Sequence, residues 1–100
     1  MKDLILLWQA DSDIQSAYNR YEGFQEGRGA VLLQQLEAAL TMMRQHPFIA
    51  RTYAGPFRRM LIRDFPIGIF YEVQPTRIVV VRVMDLRQDP RSLRRALFGN

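Results

Sequence analysis

The sequence predicts a small α+β domain in the order β-α-α-β-β-β-α, an antiparallel sheet of about four strands packed against a two-helix hairpin. Three observations carry this expectation. Apolar residues recur at helical spacing between residues 14 and 43, the period changes to two from Phe57, and Asp89-Pro90 starts a fresh helix after a β-branched run. One hundred residues make a single domain, 1–100, with one modest core.

Leu4 to Trp8 is a short apolar run that reads as the first strand. Ser12-Asp13-Ile14-Gln15 fits a capping box, and behind it Ile14, Ala17, Tyr18, Tyr21 and Phe24 form a helical stripe. Gly23, Gly27 and Gly29 interrupt the chain, so the hairpin joint falls at Gln25–Gly29. A second helix is expected from about Ala30, with Leu33, Leu36, Leu40 and Met43 facing inward. It ends at Gln45-His46-Pro47, because a proline restricts the residue before it and cannot continue a helix.

In the strand expected at Phe57–Asp64, Met60 and Ile62 point one way, and Arg59, Leu61 and Arg63 the other. Phe65-Pro66 turns the chain, and Ile67, Ile69, Tyr71 and Val73 form the apolar side of the next strand. After a turn at Gln74-Pro75-Thr76, Ile78–Met84 is too uniformly apolar for an edge strand. Asp89 as N-cap and Pro90 at the first position begin a helix over Arg91–Phe98, with Leu93 and Leu97 docked. Leu33, Leu36, Leu40, Ile62, Ile69, Tyr71, Val79, Val81 and Val83 are the expected core.

Composition narrows the chemistry. The chain has no cysteine, which removes disulfides, thiolate nucleophiles and cysteine-based zinc sites. No apolar run is long enough to span a membrane and the N-terminus lacks a signal-peptide pattern, so a cytoplasmic protein is expected, with no membrane partner. Residues 1–50 hold four basic residues against six acids, a net charge of −2; residues 51–100 hold ten arginines against four acids, a net charge of +6. An anionic partner, nucleic acid or acidic protein, fits that basic half.

The candidate anion-binding residues are Arg58, Arg59, Arg63, Arg82 and Arg87, joined by Arg91, Arg94 and Arg95 on the last helix. Arginines at alternate positions on a sheet face suit phosphate or carboxylate, and they equally suit a solvated face protected from aggregation. His46, the sole histidine, sits where an imidazolium complements a helix C-terminus. No second histidine or cysteine accompanies it, so neither a metal nor another cofactor is expected. No nucleophile–base pair stands out, and catalytic residues stay unassigned.

Several stretches together resemble the RelE/ParE superfamily of toxins from type II toxin–antitoxin systems. Tyr21-Glu22 followed by Gly27-Arg28-Gly29 is similar to the family's helical-hairpin pattern, FRRMLIRDFPIGIFYEV to its central strands, and VVVRVMDLRQDP to its closing strand and turn. The resemblance implies a growth-arresting, plasmid-stabilising toxin, neutralised by a cognate ParD- or RelB-like antitoxin in a hetero-oligomer. It also implies antitoxin contacts around Tyr18, Tyr21 and Phe24 and on the sheet arginines. RelE-like members cleave messenger RNA on the ribosome; ParE-like members poison DNA gyrase by binding. The chain departs from the RelE-like pattern in having Gly68 where those members place an arginine, Leu61 where they place a second lysine, and Asp85 where many relatives carry histidine. An aspartate repels a phosphodiester and is a weak base for a 2′-hydroxyl. Those departures favour the ParE-like branch and a non-enzymatic toxin, with the endoribonuclease and a non-toxic antitoxin-binding member as alternatives.

Overall fold

The computed structural model describes residues 2–99. Five strands and three helices follow one another as β1 (Asp3–Leu6), α1 (Trp8–Phe24), α2 (Arg28–Gln45), β2 (Thr52–Ala54), β3 (Phe57–Leu61), β4 (Ile67–Val73), β5 (Arg77–Asp85) and α3 (Pro90–Phe98). The strands form one mixed sheet in the order β1-β5-β4-β3-β2. The α+β class, the helical hairpin and the β3–β4–β5 meander match the sequence reading. The sheet has one more strand than expected and is not purely antiparallel. β2 is a three-residue strand that leaves little periodicity to read, and β1 pairs parallel with β5 from Asp3↔Arg77 to Leu6↔Val80.

α1 and α2 pack on one face of the sheet, burying Ala17, Leu32, Leu36 and Met43 against Met60, Ile67, Ile69, Tyr71, Ile78, Val80 and Val83. α3 covers part of the other face through Leu93, with Phe70 and Met84 beneath it and Leu97 alongside. Burying both faces of β4 explains its near-continuous apolar run, Ile67 to Tyr71. Tyr71 is fully buried, and its hydroxyl donates to the Pro47 carbonyl at 2.8 Å. Burial pushes its phenol pKa up, opposed by the nearby Arg58 guanidinium.

The local corrections have physical causes. α1 begins at Trp8 with Leu7 at the N-cap and no side-chain cap, so Ser12 lies inside the helix and forms no capping box. The Leu7 amide bonds the Val80 carbonyl, and that sheet contact sets the entry angle. α2 begins at Arg28, two residues before the expected Ala30. Leu33 is 39% exposed; α2 turns Leu32 and Leu36 inward instead, and leaves Leu40 half-buried. Val81 is also only half-buried. A β-bulge pairs Phe70 with Arg82 and Tyr71 with Val80, which leaves Val81 without a register partner.

The Tyr21-Glu22…Gly27-Arg28-Gly29 pattern has a mechanical meaning. The Glu22 carboxylate accepts from the Gly27 amide at 3.0 Å and the Gly29 amide at 3.0 Å, satisfying orphan donors where α2 begins. A β-carbon at Gly29 would stand 2.6 Å from the Tyr18 ring, so glycine lets the two helices close at this joint.

Candidate functional site

Two strands of the sheet outrun a neighbour, and the protein treats the two open stretches differently. β1 stops at Leu6, opposite Val80, so β5 continues beyond it as an open edge. Asp13 of α1 fills that place. Its carboxylate accepts from Arg82 Nε at 2.7 Å and Nη2 at 2.9 Å, and from the Val83 amide at 3.0 Å. The hydrogen bond from Arg82 to Asp13 raises the arginine's pKa. Arg82 therefore closes the fold and is not displayed on an anion-binding face.

On the far side, β2 pairs in register with β3 as far as Arg58, and the Arg59 amide makes the last cross-strand bond, to the Arg51 carbonyl at 3.1 Å. There a groove of about 630 Å³ opens between α2 and the β2–β3 region. Its apolar lining includes Ala38, Ala39 and Met42 of α2, with Ile49 and Leu61 opposite; Arg51, Arg59 and Arg63 supply its charge, and no acid lines it. Phe48 and Ile49 beside it are each 62% exposed, and Leu61 is 59% exposed. This is a contiguous apolar surface with a cationic rim, the form expected of an interaction site. Gly68 sits under this region: a β-carbon there would come within 3.0 Å of Arg59 Cγ and of Leu86 Cδ2, so the missing side chain makes room for the arginine stem.

The other arginines divide by what they touch. Arg58 is turned inward, donating to the Ala50 carbonyl at 2.8 Å and lying 5.0 Å over the Phe48 ring. Arg59 lies 5.3 Å over the Tyr53 ring. Arg87 grips Asp85 bidentately, at 3.0 Å and 2.7 Å, with Arg20 at 3.8 Å from the same carboxylate. The Arg87 hydrogen bond, assisted by the charges of Arg87 and Arg20, holds the Asp85 carboxyl below its ordinary pKa. Arg91 pairs with Asp89 at 3.2 Å, and Arg94 stacks 5.6 Å over Phe98, while Arg95 is exposed.

Of the eight candidate arginines, the structure brings only Arg59 and Arg63 into one groove. The sequence reading missed Arg51 and the apolar lining from α2. Arg51 precedes a strand too short to register, and Met42 and Ala38 lie off the stripe that marks the buried face of α2. Among the proposed antitoxin contacts, Tyr18 is half-buried beside Gly29, Tyr21 packs edge-on to Phe65 at 5.0 Å, and Phe24 is 81% exposed. His46 occupies the C-cap position of α2 and is exposed. Among the described residues, no group of three histidine, aspartate or glutamate side chains could hold a metal ion, and no helix is long and apolar enough to cross a membrane.

No curated protein matches the sequence at a significant level. Among solved structures, the chromosomal ParDE toxin–antitoxin system of Pseudomonas aeruginosa superposes with a TM-score of 0.74 at 15% identity, covering 87% of this chain and 98% of that one. A copper-bound mutant toxin from Helicobacter pylori matches with a TM-score of 0.58 at 22% identity, covering 85% and 94%. A conserved hypothetical protein of the same organism, solved in solution, matches at 0.53 and 20% identity, covering 83% and 92%. These structures share the fold. The family profile described as the ParE toxin of the type II toxin–antitoxin system parDE matches residues 4–90, and the chain belongs to that family.

Proposed function

We propose that the protein arrests growth by binding DNA gyrase, without turnover, and that a cognate antitoxin neutralises it by filling the groove between α2 and β3. The observation that carries the antitoxin reading is the groove's composition: three arginines, an apolar floor and no acid among its lining residues. An antitoxin segment with alternating acidic and apolar residues satisfies both features at once, and each charge-assisted contact would contribute roughly 1.5–3 kcal/mol.

The state of Asp85 supports binding over RNA cleavage. Arg87 and Arg20 hold it as a carboxylate, so it is a poor proton acceptor, and Arg82 is committed to Asp13. Phosphate stabilisation without a base suits a protein that clamps its target. Induction in cells tests the reading together with a supercoiling assay on purified gyrase. Filamentation with an SOS response and blocked supercoiling is the expected result. Immediate loss of translation with transcripts cut on the ribosome would replace gyrase with an interferase activity, and no arrest at all would leave only antitoxin binding.

A further inference from the structure

Two segments of the chain, residues 47–63 and 90–99, contain seven arginines and no acidic residue. The fold packs them together. Phe98 at the end of α3 rests on Phe57 of β3 with ring centroids 5.4 Å apart, and its ring lies just over Gly55 in the β2–β3 turn. Arg94 stacks on Phe98 and Arg59 on Tyr53, so the cations of α3 and of the groove flank one β-hairpin. Arg58 is committed to backbone carbonyls and Arg91 to Asp89. The other five, Arg51, Arg59, Arg63, Arg94 and Arg95, have no carboxylate partner among the described residues. Glu72 lies opposite Phe57 in register and forms no ion pair among the described residues. Half of the ten acids, Asp11, Asp13, Glu22, Glu26 and Glu37, sit on the α1–α2 hairpin, so the protein has an electrostatic polarity.

We propose that this arginine band, running from α3 across the β2–β3 hairpin to the groove, binds the sugar-phosphate backbone of duplex DNA. Arginine is suited to bidentate phosphate contacts, and these five arginines have no ion pair to break among the described residues. The aromatic residues favour a duplex over a single strand. Single-strand binders offer open ring faces on which bases stack. Here Phe48, Tyr53 and Phe98 each already carry an arginine on one face. One face of each ring is therefore already taken, charge is the surface's main offer, and it would hold DNA without reading its sequence.

The test is fluorescence anisotropy of a labelled 30-base-pair duplex with the isolated toxin, across salt concentrations. Four to five phosphate contacts predict a slope of log K against log salt of about −4, a loss of about 250-fold between 50 and 200 mM. The R94A/R95A variant should reduce the slope to about −2, and R94K/R95K should restore it, because the term counts charges. Both positions are exposed, and unchanged thermal midpoints would confirm intact folds. A wild-type slope shallower than about −1, or slopes unchanged in both R94A/R95A and R51A/R63A, overturns the proposal. Tighter binding to a single strand of equal length overturns it as well. The proposal stands apart from the gyrase reading: absent duplex binding with supercoiling still blocked defeats only this one, and duplex binding with supercoiling untouched defeats only the other.

Discussion

The carboxylate of Asp13 on α1 accepts the Arg82 guanidinium and the Val83 amide together, at the bulge of β5 where β1 no longer covers the edge. A helix side chain thus finishes a sheet edge that has no strand beside it. Removing it strands a half-buried guanidinium and frees a backbone donor. Asp13→Ala should cost about 2 kcal/mol, below the range for fully buried pairs because both side chains keep some solvent contact. For a domain of this size that lowers the thermal midpoint by roughly 10 °C. A midpoint shift of a degree or less would show that the edge does not need its plug.

Tyr71 separates packing from hydrogen bonding. Its ring is fully buried in the main core, and its hydroxyl reaches the Pro47 carbonyl just beyond α2. Tyr71→Phe keeps the ring and should cost about 1 kcal/mol for the lost hydrogen bond. Tyr71→Ala empties the site and should cost about 3–5 kcal/mol. Urea unfolding of the two variants measures the difference; equal losses would contradict the packing described.

What was legible in the sequence was what periodicity encodes. The apolar runs of β4 and β5 and the inward Leu36 follow from apolar spacing, and the Asp89-Pro90 start of α3 follows from capping chemistry. The start of α1 was not legible, because a bond from the Leu7 amide to the Val80 carbonyl sets it, about 70 residues away in the chain. The groove was hidden for a related reason. Alternation showed Arg59 and Arg63 on one side of a strand, but the missing neighbour at the end of β3 beyond Arg59 is a property of the sheet, and no local pattern announces it. Arg82 and Arg87 looked like members of the same set, and only tertiary contacts reveal that Asp13 and Asp85 hold them.

Asp85 gives the acid limb of the stability curve a defined sign. Its pKa is lowered in the folded state, so its stabilising contribution is complete above the ordinary carboxylate value and is lost as pH falls through the depressed one. Asp85→Asn should therefore destabilise at pH 7, and the gap from wild type should close as the pH drops below about 4. Urea midpoints at several pH values read this directly. A gap that widens on acidification would mean the Arg87 and Arg20 contacts do not stabilise the ionised form.

Glu22 tests the hairpin joint. Its carboxylate serves the Gly27 and Gly29 amides where α2 begins, and no other side chain caps that helix start. Glu22→Ala should cost about 1 kcal/mol, with Glu22→Gln recovering part of it because one oxygen remains to accept. Hydrogen exchange at the first turn of α2 should quicken in Glu22→Ala, and unchanged exchange there would argue that water replaces the cap without loss.

Arg58 and Arg63 stand close in sequence and should behave as opposites. The Arg58 guanidinium is spent inside the fold, on the Ala50 carbonyl and the Phe48 ring, where it holds the segment leading into β2. Arg63 is exposed at the groove, and no carboxylate pairs with it among the described residues. Arg58→Ala should lower stability by about 1.5–3 kcal/mol through the lost charge-assisted bond. Arg63→Ala should change stability by no more than ~0.5 kcal/mol, as exposed substitutions generally do. Against the antitoxin the order reverses. Arg63→Ala removes a contact from the groove and should weaken affinity roughly 10- to 100-fold, the equivalent of one charge-assisted hydrogen bond. Thermal denaturation and isothermal titration on the same two proteins separate the effects. If Arg51→Ala, Arg59→Ala and Arg63→Ala all kept wild-type affinity, the antitoxin would have to bind elsewhere, and the exposed Phe24 at the end of α1 would be the next surface to test.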